Sequence, residues 1–172
     1  GGLQHGGGAI CLEVAGATTL DGTMTARGEA QGLAGSAGGS VYLKTGTLTG
    51  NGTMDASGNT TDQYGAGGGR LAVVLTAGAT FGNVVMQAYG AGSLRGAAGT
   101  IYREAADQPP GGGTLLVDGN ALPYTTNTTT QLPPSSNGVA AELASATLAT
   151  TNNAAVSLTS DLLMDDLFMT AP

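Results

Sequence analysis

The chain has 172 residues and a formal net charge of −7, with 31 glycines, 10% charged residues, 4% aromatics and no tryptophan. Its five basic residues, Arg27, Lys44, Arg70, Arg95 and Arg103, are scattered singly, which excludes a patch able to neutralise phosphates and argues against nucleic-acid binding. No apolar run approaches the roughly 20 residues of a membrane-spanning helix, and the single cysteine, Cys11, excludes an internal disulfide framework.

A hydrophobic content of 41% is ordinary, so a packed core is expected, but bulky side chains are too few to make it thick. Backbone pairing and regular stacking have to do most of the work. The opening Gly1-Gly2-Leu3-Gln4-His5-Gly6 lacks the basic and then apolar stretch of a signal peptide. It reads as the interior of a repeat, and the chain is expected to be part of something longer.

The first element is Gly7-Gly8-Ala9-Ile10-Cys11-Leu12, a small-residue pair followed by alternation. It returns as Gly38-Gly39-Ser40-Val41-Tyr42-Leu43, as Gly68-Gly69-Arg70-Leu71-Ala72-Val73 and as Ala98-Gly99-Thr100-Ile101-Tyr102-Arg103. A second element lies between these copies: Thr23-Met24-Thr25-Ala26-Arg27-Gly28, matched by Thr53-Met54-Asp55-Ala56-Ser57-Gly58 and Val85-Met86-Gln87-Ala88-Tyr89-Gly90. Thr114-Leu115-Leu116-Val117-Asp118-Gly119 reads as its fourth copy. Two markers that share one period of about 30 residues specify a repeat architecture.

Both elements alternate with period two, so both are predicted strands. Ile10, Val41, Leu71 and Ile101 share one face with Leu12, Leu43 and Val73; Met24, Met54, Met86 and Leu115 share another with Ala26, Ala56, Ala88 and Val117. Like residues thus recur over like residues, as stacked parallel coils require. Arg103 breaks the pattern, standing where Leu12, Leu43 and Val73 stand. The predicted fold is an all-β parallel β-helix, or β-solenoid, with four recognisable coils and a C-terminal, mostly β extension.

The Gly-Gly-x-Ile/Val-x-Leu strand followed by Gly-x-Met-x-Ala-x-Gly resembles the glycine-rich parallel β-helix repeats of large secreted bacterial surface proteins. The resemblance spans about residues 6–119. It implies the architecture, and a fold that hosts adhesins, autotransporter passengers, phage tailspikes and polysaccharide lyases alike.

Composition changes near residue 120, since 30 of the 31 glycines lie at or before Gly119. Residues 1–119 are read as the glycine-rich coils and residues 120–138 as a Thr/Pro/Ser-rich linker or surface excursion. Residues 139–172 are read as C-terminal strands, a further coil or an intersubunit strand. The near-duplicates Asp161–Asp165 and Asp166–Thr170 suggest short strands with Leu162 over Leu167 and Met164 over Met169. A helix from Ser160 to Met169 competes with that reading, and Val139–Leu148 is ambiguous.

Chemistry is sparse. A glycoside-cleaving β-helix needs paired carboxylates, yet Thr25, Asp55, Gln87 and Leu116 align without a carboxylate ladder. Glu13, Lys44, Val74 and Glu104 align as one opposite-charge pair. Asp165 and Asp166 are adjacent, and so point to opposite faces of a strand. His5, the only histidine, has no metal-ligand cluster around it and reads as a solvated loop residue; Cys11 reads as a small packing residue. No catalytic residue, cofactor or metal site is expected. Asn51, Asn59 and Asn127 begin Asn-x-Thr acceptor patterns for glycans. The function expected is a structural segment of an extracellular or cell-surface protein that builds a fibre, stalk or surface layer by coil stacking. Its partners are copies of itself in a homopolymer, or flanking coils of a longer chain. An adhesive or glycan-binding surface module is the alternative, and a polysaccharide-processing enzyme fits less well. A fibre subunit should polymerise alone, whereas an adhesin should stay monomeric and bind a surface.

Overall fold

The computed structural model describes residues 5–29, 35–60, 64–94, 96–121, 128–132, 145–158 and 166–169, and these contain strands and no helix. The first repeat element becomes β1 (Ala9–Thr19), β3 (Ser40–Thr49), β5 (Arg70–Leu75) and β7 (Thr100–Glu104). The second becomes β2 (Thr23–Thr25), β4 (Thr53–Asp55) and β6 (Val85–Gln87). Each set pairs in parallel, and the result is a parallel β-solenoid of about four coils with a spacing of about 30 residues.

The register is the one the repeat dictates. Ile10, Val41, Leu71 and Ile101 stand in one row and Glu13, Lys44, Val74 and Glu104 in another. Met24, Met54 and Met86 form the matching row of the second ladder. Val41, Leu43, Leu71, Val73 and Ile101 are buried from one side of the coil, and Met54, Ala26, Ala56 and Ala88 from the other. In the first coil the same positions open to water: Leu12 is 41% exposed where Leu43 is 0%. β1 also holds one extra residue between Val14 and Ala17, a bulge that locally increases twist.

The glycine pairs set the thickness of the coil. The backbone N–H groups of Gly39, Gly69 and Gly99 donate across the interior to the carbonyls of Ala26, Ala56 and Ala88, at 2.7, 2.8 and 2.6 Å. The chain above passes equally close, so a Cβ on Gly39, Gly69 or Gly99 would lie 1.9 Å from the carbonyl oxygen of Gly8, Gly39 or Gly69 respectively. The first glycine of each pair is squeezed as tightly, because a Cβ on Gly38 or Gly68 would lie 1.8 or 2.0 Å from the oxygen of Ala56 or Ala88. Any side chain there would have to displace backbone, not merely a rotamer.

One expectation fails in the second half of the chain. Residues 114–118 do not continue the Met-x-Ala ladder. They form β8 (Thr114–Asp118), which joins the large sheet antiparallel to β7, with Leu116 opposite Ile101. The alternation that matched the second element is satisfied instead by a new small core of Leu115, Val117, Leu132 and Leu148. Over Ser160–Met169 the chain is a strand where it is described, as the strand reading expects and the competing helix does not: β12 (Asp166–Met169), while residues 159–165, including Leu162, Met164 and Asp165, lie outside the described residues. β12 pairs in parallel with β10 (Thr147–Thr151), and Leu167 stands opposite Leu148. β10 pairs in turn with β8, and β9 (Thr129–Leu132) with β11 (Ala155–Leu158), all in parallel. The seven-stranded sheet therefore runs β1-β3-β5-β7-β8-β10-β12, and its strand direction reverses once, between β7 and β8.

Gly69→Ala is expected to destabilise the protein by about 3 kcal/mol or more, the upper range of core overpacking. Gly67→Ala, whose Cβ would meet its nearest atom at 3.9 Å, is expected to be neutral or slightly stabilising. Urea unfolding of the two variants beside the parent checks the pair.

Candidate functional site

Surface polar side chains in the solenoid are spent largely on the next coil. The hydroxyls of Thr18 and Thr45 lie 2.8 Å apart and those of Thr19 and Thr49 3.1 Å apart. Thr45 is wholly buried, and its hydroxyl donates to the Gly16 carbonyl at 2.9 Å. At the next corner Asp21, Asn51 and Asn83 form a vertical ladder. The Asp21 carboxylate accepts the Asn51 N–H at 3.1 Å, and the Asn83 amide donates to the Asn51 Oδ1 at 3.1 Å. On the second ladder the Asp55 carboxylate accepts the Ser57 N–H at 2.9 Å and lies 3.4 Å from the Arg27 guanidinium of the coil above. A buried carboxylate is tolerable when it is paired and hydrogen-bonded in this way.

The sequence-selected residues are not brought together. Asn51 is exposed in its ladder; Asn59 is half-buried and exchanges two backbone hydrogen bonds with Ser36. Asn127 lies outside the described residues. His5 is exposed, and its carbonyl accepts the Glu29 N–H at 2.9 Å. Cys11, expected as a packing residue, is exposed, because it lies on the outward face of β1 between the inward Ile10 and Leu12. Among the described residues no group of three His, Cys, Asp or Glu side chains could hold a metal ion, and no helix is long and apolar enough to cross a membrane.

The corner where the chain turns back holds a polar network that composition and periodicity did not flag. The Tyr102 hydroxyl donates to the Glu104 carboxylate at 2.5 Å and accepts the Gly113 N–H at 3.1 Å; the same carboxylate accepts the Gly111 N–H at 2.7 Å. Gln108 closes the turn by accepting the Ala105 N–H at 2.8 Å. These bonds clamp residues 104–113 into the connection between β7 and β8. Burial, followed by the hydrogen bond to Glu104, pushes the Tyr102 phenol up to about 12. Arg103, the residue that broke the pattern, stacks its guanidinium 5.7 Å from the Phe81 ring centre, within cation–π range. Its Nε is buried without a hydrogen-bond partner. Asp107 and Gln108 line the shallow cleft of about 380 Å³ beside it.

A larger open groove, about 640 Å³, runs between the glycine corner and β9. Gly69, Arg70, Thr100, Thr129 and Gln131 line it, and the Thr130 hydroxyl anchors β9 to the Ala98 carbonyl at 2.7 Å across its floor. Its hydroxyls, amide and single guanidinium suit weak polar contact more than proton transfer. No protein-family model matches the chain, and no curated protein or solved structure matches it.

Tyr102→Phe is expected to lower stability by about 1–3 kcal/mol, because Glu104 and the Gly113 N–H both lose a partner. In the parent protein, the stability that the Tyr102 phenol contributes is complete below pH 10 and is lost as pH rises toward about 12. Urea midpoints at neutral and alkaline pH read both effects. Equal midpoints for the two proteins at neutral pH would contradict the clamp.

Proposed function

We propose that this chain is a structural length of β-solenoid in an extracellular or cell-surface protein, contributing to a fibre, stalk or surface layer held together by coil stacking. The observation that carries the reading is where the outward polar groups go. Thr19, Thr49, Asp21, Asn51, Asn83 and Arg27 all bond to a neighbouring coil. Such groups lengthen and stiffen a stack; they do not converge on a point in space where a substrate would react. Scarce lysine and abundant Thr, Ser, Asn and Gly support an extracellular setting. In that setting the exposed Asn51 is better placed than the half-buried Asn59 to carry a glycan.

The adhesive alternative draws on one observation, the groove with Arg70, Thr129 and Gln131 on its walls. Glycan-array binding of the purified chain separates the two. The structural reading expects no saturable retention, and no difference between the parent and an Arg70→Ala, Gln131→Ala double variant. Saturable binding that weakens tenfold or more in that variant would replace it with the adhesive reading.

A further inference from the structure

We propose that the face of the solenoid bearing β1 is built to receive one more parallel coil of the same repeat, supplied in cis by the polypeptide that leads into His5. The inference rests on the structural reading above and says what continues the stack.

β1 is an edge of the large sheet, and its 11 residues make it the longest of the described strands. An edge of that length is a template for another strand. Several features say which kind. First, the backbone leads into coil 1 as it leads into the coils below. The Glu29 N–H bonds to the His5 carbonyl as the Asn59 N–H bonds to the Ser36 carbonyl and the Ala91 N–H to the Ala66 carbonyl. His5 thus occupies the place in coil 1 that Ser36 and Ala66 occupy in the coils below.

Second, coil 1 keeps a vacancy where a coil would lie. At Gly39, Gly69 and Gly99 glycine is imposed by the carbonyl of the coil above, 1.9 Å from any Cβ, but at Gly8, the same position in coil 1, nothing lies within 4 Å. Gly22 repeats the observation: its coil-2 equivalent, Gly52, has the Gly22 oxygen 2.3 Å from its Cβ position, while Gly22 itself faces open space. Third, Leu12 and Val14 lie uncovered, 41% and 36% exposed, over positions that are 0% exposed one coil lower, at Leu43 and Thr45. At Leu20, which stands over Gly50, the incoming backbone has to pass wider than Leu20 passes over Gly50.

Among the described residues, the opposite edge of the sheet does not supply such a coil. The far edge, β12, has four residues and runs opposite to β1. Stacked head to tail, it would pair antiparallel over about a third of the β1 edge and place no Ala carbonyl over the Gly8 N–H.

The test is a double cycle on the full chain. A copy of residues 36–65 is placed directly before His5, and Gly8→Ala is made with and without it. Without the added coil, Gly8→Ala is expected to shift Tm by less than about 2 °C. The added coil should raise Tm by about 5 °C or more, and in that background Gly8→Ala should remove at least that gain. An equal effect of Gly8→Ala in both backgrounds, or an added coil that proteases remove as readily as an unfolded tail, would overturn the proposal. So would a 172-residue chain that dimerises by light scattering and is dispersed by Gly8→Ala, since a second copy would then cover the face. These readouts report on the face itself and the glycan array reports on the role, so either can fail alone.

Discussion

The bond from the second glycine of each pair to the alanine carbonyl across the coil governs everything else. A parallel sheet alone would leave β1, β3, β5 and β7 as an unsupported layer with one apolar face. The N–H groups of Gly39, Gly69 and Gly99, reaching the carbonyls of Ala26, Ala56 and Ala88, fold a second ladder back onto that layer. Where the backbones meet this closely, no Cβ fits on the glycine corner. Beyond it the interior is one side chain thick: Val41, Leu43, Leu71 and Val73 meet Met54 and the alanines with no further layer between. A chain poor in aromatics can form a dry core only in such a thin space. The low charge and high glycine content follow from this geometry.

The same constraint explains where the repeat stops. In the fourth copy the first glycine is replaced by Ala98. Gly38 and Gly68 face the carbonyls of Ala56 and Ala88, whereas no Met-x-Ala strand follows β7 to crowd Ala98. Its methyl packs against the second core with Tyr102 and Val156. Arg103 fits at an inward position because the stack below it has ended, and Phe81 offers its ring face. Tyr102 and Glu104 then hold Gly111 and Gly113 so that the chain returns beside β7 in the opposite sense. From β8 onward strands again stack in parallel, now around Leu115, Val117, Leu132 and Leu148.

The period, the register and the identity of the inward rows were legible in the sequence because they are local and repeated. The row Glu13, Lys44, Val74 and Glu104 aligned as written. The fate of Thr114–Gly119 was not legible. Its alternation satisfies any half-buried strand, and period two carries no information about which sheet a strand joins or in which direction. The signs were Ala98 and Arg103, two departures at corresponding positions of one copy, but the bonds that turn the chain join residues up to 11 apart and belong to no repeat. The ladder of Asp21, Asn51 and Asn83 was within reach, since these residues recur at nearly the repeat spacing and just before the second element. Asn51 was instead singled out for a glycan acceptor pattern. That surface side chains are engaged in stacking became visible only when coils were placed over one another.

Native-state amide hydrogen exchange at Gly39, Gly69 and Gly99 tests the account most directly. If these cross-coil bonds close the solenoid, the three amides exchange only through cooperative unfolding, among the slowest in the protein and well behind those of β1. If they exchange as fast as the amides of β1, the coil is not held shut at its glycine corner and the account is wrong at its centre.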